Sequence, residues 1–259
     1  MTDTICVECG VCVSKIKRVF LLSHCDDEIF LLPFLLDTKA QSTLVFFTTR
    51  KGVYQEPDVR KSEAVLANRL LNRFQKVNTA FLSPEIYDGL IHNEFKNENF
   101  EFLENIIVKE KPDEIITLAF EGGHQDHDSV EVIARVLCDK YKITMICCSA
   151  YRSAKFSRKL FTVMKSDVAS ERVRTRRFLT LVVAFKIMFV YKSQFKTWLG
   201  LAPFILTKYA IYPFSYSQVK PTQEVVHLDR CFYESRNRAV QKEVLSSLRT
   251  FGNFRERDE

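Results

Sequence analysis

The sequence predicts an α/β fold: a Rossmann-like, mostly parallel sheet with helices on both faces and functional groups at the carboxyl ends of the strands. Three observations carry this prediction. Short apolar runs lack the alternation of half-exposed strands, a helical pattern comes between them, and polar motifs follow two of the runs directly.

The first run is Arg18-Val-Phe-Leu-Leu-Ser23, the second Ser42-Thr-Leu-Val-Phe-Phe-Thr-Thr49 and the third Glu114-Ile-Ile-Thr-Leu-Ala-Phe120. A fourth, Ile143 to Cys148, continues the sheet after the lead-in Tyr141-Lys142. Between the second and third, Asp58 to Phe74 repeats Val59, Leu66, Leu70 and Phe74 at helical spacing, with Arg60 and Glu63 on another face. Strand alternating with helix is the pattern of a parallel sheet covered on both sides. At 259 residues the chain is expected to form a single domain over 1–259. Its core falls at about 17–150, and helical and strand elements of 151–259 complete the site and its cleft. Of seven glycines, Gly52, Gly89, Gly122 and Gly123 lie in loops after predicted strands, but no dinucleotide fingerprint or P-loop is present.

Lys and Arg outnumber Asp and Glu by 38 to 32, and between Arg152 and Lys192 eleven basic residues face only Asp167 and Glu171. That excess suits an anionic neighbour such as a phosphate or a membrane surface, and equally a solvated helix face. No nucleic acid is expected as a partner. The apolar run Phe178 to Tyr191 is too short to span a bilayer and reads as a buried helix. Trp198 to Tyr216 is broken by Pro203, Lys208 and Pro213, which leaves room for peripheral membrane contact but not for a span. Arg172-Val-Arg-Thr-Arg-Arg177, just ahead of these runs, could grip a phosphate or lipid headgroup or form a solvated helix end.

Eight cysteines at irregular spacing include Cys138, Cys147 and Cys148 in apolar runs, as expected of small hydrophobes in a reducing compartment. With no secretory signal visible in the sequence, a cytoplasmic location is expected. Cys6-x-x-Cys9-x-x-Cys12 has metal-ligand spacing without a convincing fourth ligand. His92 and His227 have no acidic or cysteine company and read as ordinary surface or hydrogen-bonded residues.

The chemistry lies in two segments, Ser23-His24-Cys25-Asp26-Asp27-Glu28 and His124-Gln125-Asp126-His127. Three of the five histidines fall in these strand-end loops. A catalytic zinc uses imidazole and carboxylate ligands, three from the protein, and keeps one position open. His24 and Asp27 stand three residues apart where a strand passes into a helix, and His124 and His127 repeat that spacing. Asp26, beside these ligands, stands where a general base for the attacking water belongs. Either motif alone would read as a helix start with a surface histidine. Together, at equivalent ends of adjacent strands, they predict a metal hydrolase.

These segments resemble the LmbE-like or PIG-L-like N-acetylglucosaminyl deacetylases, whose motifs read Ala/Pro-His-Pro-Asp-Asp-Glu and His-Pro-Asp-His. The resemblance includes Thr48-Thr-Arg-Lys-Gly52, Arg60-Lys-Ser-Glu63, Tyr87-Asp88-Gly89 and Phe120-Glu121-Gly-Gly123. It spans residues 18 to 150 and fades beyond them, apart from Tyr191-Lys-Ser-Gln194. It implies a Zn2+ cofactor, or another divalent metal such as Fe2+, with His24, Asp27 and His127 as ligands and Asp26 as base. It also implies that His124 polarises the carbonyl or stabilises the oxyanion and can in addition protonate the leaving amine, that Asp126 orients its ring, and that Arg60 and Asp88 contact substrate. The implied activity is removal of the N-acetyl group from an N-acetylglucosamine-type sugar or glycoconjugate. The alternatives are an amidohydrolase for another N-acyl small molecule and a catalytically lapsed basic binding protein of the same fold. Cys25 and Gln125 replace the prolines of the motifs, so both loops are expected to gain freedom. Cys25 could serve as a fourth ligand or an oxidation-sensitive thiol, but a packing role is favoured.

Overall fold

The computed structural model of the chain describes residues 15–50, 57–120, 124–154, 157–164, 171–173, 176–211 and 214–219. The four apolar runs form strands β1 (Ile16–His24), β2 (Ala40–Arg50), β4 (Glu114–Leu118) and β5 (Thr144–Cys148). A further strand, β3 (Val77–Tyr87), precedes β4. These five pair in parallel in the order β3-β2-β1-β4-β5. Pleating sends alternate residues of β1 to opposite faces: Phe20 and Leu22 join one core cluster, Val19 and Leu21 the other. Both faces are covered, which is why the runs read as continuously apolar. Each large apolar side chain so buried contributes on the order of 1.5–3 kcal/mol.

The cluster holding Phe20 is roofed by helices α1 (Leu32–Leu35), α2 (Pro57–Leu71), α6 (Arg177–Val190) and α7 (Phe195–Ile211). On the other face lie α3 (Ile91–Glu94), α4 (Asn97–Glu110) and α5 (Gln125–Tyr141). Beyond β5 the sheet gains two antiparallel strands, β9 (Phe214–Val219) and then β8 (Glu171–Val173), while β6 (Tyr151–Ala154) and β7 (Ser157–Val163) form a separate hairpin. Strand order reverses direction at β1, with β2 on one side and β4 on the other. The loops leaving β1 and β4 therefore flank the crevice where ligands of open α/β sheets bind.

Two helices differ from the sequence expectation. The helix expected over 58–74 ends at Leu71, and it buries Arg60, Glu63, Ala64, Ala67 and Leu71 while Val59 and Leu66 stand half-exposed. The buried face follows partners, not hydropathy: Arg60 meets two site carboxylates, and Glu63 accepts from the Ser193 N–H and Oγ at 2.9 and 2.6 Å. The run 178–191 is a half-buried helix. Val183, Ala184, Ile187 and Met188 face the core, whereas Phe178, Phe185 and Phe189 face outward. Among the described residues no single helix is long and apolar enough to cross a membrane, and α6 meets the following helical segment at 87°.

His92 is buried. Cys25, Cys138, Cys147 and Cys148 are buried thiols, in keeping with the reading of Cys138, Cys147 and Cys148 as small hydrophobes. Cys6, Cys9, Cys12, His227, Gly52, Gly122 and Gly123 lie outside the described residues.

Candidate functional site

β1 pairs with β4 from Arg18↔Glu114 to Leu21↔Thr117, so the segments following the two strands emerge side by side. At the end of β1 the Asp27 carboxylate accepts from the His24 N–H at 2.8 Å, which closes the turn and brings both side chains to one place. α5 begins at Gln125 with His124 as its N-cap, the imidazole Nδ1 accepting from the Asp126 N–H at 3.2 Å. An N-cap side chain that satisfies an orphan helix N–H is ordinarily Ser, Thr, Asp or Asn; here an imidazole does it.

The three imidazoles converge. Ring centroids of His24 lie 4.7 Å from His124 and 5.3 Å from His127, and His124 and His127 are 4.9 Å apart. One nitrogen from each of these rings lies within 4.8 Å of the others. Asp27 bridges two of them, with Oδ2 3.5 Å from His24 Nδ1 and Oδ1 3.3 Å from His127 Nε2. On the far edge of His24, Nε2 lies 2.5 Å from Asp88 Oδ1 and 3.1 Å from Asp126 Oδ2. Arg60 completes the group, Nη2 3.4 Å from Asp26 Oδ1 and Nη1 3.2 Å from Asp88 Oδ2. All eight residues singled out in the sequence thus meet in one cluster.

Burial and charge set the protonation of the cluster. Burial alone would lower His24, but Asp88, Asp27 and Asp126 outweigh it and raise its pKa well above the usual value. His124 has no such gain. Burial first, and then repulsion from the neighbouring His24, push it down to about 3, which keeps the ring neutral. Burial would raise Asp27, yet His127 and His24 hold it well below the carboxylate range. Burial carries Asp26 up to about 7 against the pull of Arg60. Asp26, Asp27, Asp88 and Asp126 gather with Arg60 around the three imidazoles, a mixed imidazole and carboxylate donor set whose chemistry fits a divalent cation.

Some contacts were not anticipated. The Asp126 carboxylate accepts from the Gly89 N–H at 2.5 Å and the Ile91 N–H at 3.3 Å in addition to its His24 contact, so the hydrogen bond from this residue to His124 comes from its backbone. Gln125 Nε2 donates to the Gly89 carbonyl at 2.5 Å, which clamps the Asp88-Gly89 turn where a freer loop was expected. Cys25 Sγ points to the Thr48 carbonyl at 3.5 Å and packs into the core, consistent with the favoured packing role. Tyr191 Oη donates to Glu28 Oε1 at 2.5 Å, 163 positions away in the chain. Only the short Tyr191-Lys-Ser-Gln194 match pointed toward that contact in the sequence.

No protein-family model and no curated protein matches the chain. Solved structures do. A deacetylase of the A40926 pseudoaglycone superposes with a TM-score of 0.61 at 14% identity, covering 81% of this chain and 100% of that one. The zinc-inhibited form of a teicoplanin deacetylase gives 0.58 at 11% identity over 80% of this chain and 100% of its own. A conserved protein from Thermus thermophilus gives 0.50 at 15%, over 81% and 97%. At these identities the likeness is one of architecture: the chain has the α/β fold on which these deacetylases are built.

Proposed function

We propose that the chain is a metal-dependent N-deacetylase acting on the acetamido group of an N-acetylglucosamine-type sugar or glycoconjugate. The observation that carries this reading is the meeting of three imidazoles with Asp26 and Asp27 at the switch point of the sheet. The deacetylases with this fold support it, as does the resemblance of both motifs.

His24, Asp27 and His127 would hold the metal, Zn2+ or another divalent ion, with the Asp126 and Asp88 carboxylates bonded to the opposite nitrogen of His24, as carboxylates commonly support metal-ligating imidazoles. When bound, the cation supplies Lewis-acid polarisation and a more acidic water. Asp26 takes the proton of the attacking water, and Arg60 beside it favours the ionised form needed for that task. His124 is held neutral with Nδ1 accepting, so its proton resides on Nε2, which donates to the carbonyl oxygen as negative charge develops. A ring so weakly basic favours hydrogen-bond donation over proton transfer, and Asp26 returns its proton to the departing nitrogen. Acetate and a free amino sugar result. Arg60, only 3% exposed, acts first on Asp26 and Asp88, and Asp88 stands nearer the opening where a sugar hydroxyl can reach it.

Acetate release from a panel of N-acetylglucosamine derivatives and other N-acyl compounds, run beside metal analysis, tests this. Zinc is added at one equivalent, since a teicoplanin deacetylase of this fold has a zinc-inhibited form. Asp26→Asn is expected to keep the metal and lose at least ~100-fold in turnover. A wild type that takes up no divalent metal would sink the proposal.

A further inference from the structure

The outward faces of α6 and α7 are unusual for a protein surface. Phe178, Phe185 and Phe189 recur on one side of α6, and Phe195 and Leu199 stand one turn apart at the start of α7, each between 52% and 81% exposed. Phe185 and Phe189 stack edge to face at 4.8 Å. Single exposed apolar residues are ordinary, whereas a contiguous set on two packed helices marks a contact surface. The charge on the same helices is one-sided. From residue 176 to 211 the chain carries Arg176, Arg177, Lys186, Lys192, Lys196 and Lys208 and no Asp or Glu.

We propose that this face docks on an anionic lipid surface, with the aromatic side chains seated at the headgroup boundary and the basic residues pairing with lipid charge. Aromatic rings and basic side chains together are what an interfacial helix uses, since the rings bury their apolar bodies while lysine and arginine reach the charged layer. The 87° bend between the helices suits contact in the plane of a bilayer better than insertion across it. A second copy of the chain is the poorer occupant, because a symmetric contact would bring together two helix pairs that each carry six basic residues and no acidic one. Residues 220–259, with eight basic and seven acidic side chains, offer no matching negative charge either. The elbow between the helices is held inward by Tyr191 donating to Glu28, the residue after Asp27, and by Ser193 donating to Glu63, so the docking face is fixed to the sheet that carries the site. This inference is independent of the reaction catalysed.

Co-sedimentation of the full chain with phosphatidylcholine vesicles, with and without phosphatidylglycerol, tests it. Binding is expected to the anionic vesicles at low salt, several-fold weaker at about 0.5 M salt. The triple variant Phe185→Ser, Phe189→Ser, Leu199→Ser is expected to bind at least ~10-fold more weakly, with its circular dichroism and melting profile checked to confirm a folded chain. Three results overturn the proposal: no wild-type binding to anionic vesicles at low salt, undiminished binding by the folded variant, or a wild-type dimer that the variant abolishes while neither chain binds vesicles.

Discussion

Glu28 ties the stability of the fold to pH. Its side chain is 1% exposed, Oε1 accepts from Tyr191, and Oε2 has no hydrogen-bond partner. Burial carries the carboxyl from an ordinary 4.5 up to about 8, despite the hydrogen bond from Tyr191 that favours the ionised form. The sign follows from proton counting. Between those values the unfolded chain has lost this proton and the folded chain has kept it, so raising the pH favours unfolding. At about 1.4 kcal/mol per tenfold change in proton affinity, the carboxyl withdraws on the order of 5 kcal/mol of stability across that interval, and nothing further above it. Glu28→Gln keeps the shape and cannot titrate. Urea unfolding of wild type and variant in the presence of a chelator, measured from pH 4.5 to about 9, is expected to show the variant gaining relative stability steadily up to about pH 8 and then levelling off. Titrating groups that do not interact with Glu28 are common to both proteins and cancel in the difference, and its neighbours Asp26 and Asp27 change only through their coupling to it. A difference that stays flat to within ~1 kcal/mol over the range would refute the reasoning, because it would mean that Glu28 ionises with little cost in the fold.

Further outcomes follow from the same contacts. Gly89 adopts φ +86°, and a Cβ there would meet Gln125 Nε2 at an ordinary 3.5 Å, so Gly89→Ala should cost ~1–2 kcal/mol from backbone conformation alone, read from the urea midpoint. Gln125→Pro removes the clamp on the Gly89 carbonyl but places proline at the first position of α5, which favours it; stability should hold to within ~1 kcal/mol while KM for an N-acetylated sugar rises. Arg60→Lys cannot bridge Asp26 and Asp88 as a fork does and should lower kcat, with the alkaline-shifted acidic limb of the pH profile marking a less ionised Asp26. Burial raises the Cys25 and Cys147 thiols and pushes Cys138 up to about 12, so peptides holding these three should escape labelling by a thiol reagent until the chain is unfolded.

The strands were legible because burial on both faces writes itself as unbroken apolar sequence, and the site because its three histidines and three of its aspartates sit within two short loops at the ends of neighbouring strands. β3 was not legible. It lies at the sheet edge, holds Pro84, and mixes Asn78, Thr79 and Glu85 among its apolar residues, as an edge strand can. The inverted face of α2 was hidden for a different reason: Arg60 and Glu63 are buried by partners distant in sequence, and no local pattern records those partners. The same holds for Gln125. Viewed as a replacement for proline it suggests a looser loop, and only the approach of Gly89 shows what its amide holds.

The bonds from Tyr191 to Glu28 and from Ser193 to Glu63 cross from the region where motif likeness fades back into the region where it is strong. An excised unit ending near residue 150 would expose the core surfaces that Ile187, Met188 and Trp198 now cover and would leave two buried carboxylates without their donors. The recognisable half is therefore not a module that a fusion or a domain transplant could borrow. α6 and α7 are anchored inward by their packing on the core and by two hydroxyl groups that cross to Glu28 and Glu63.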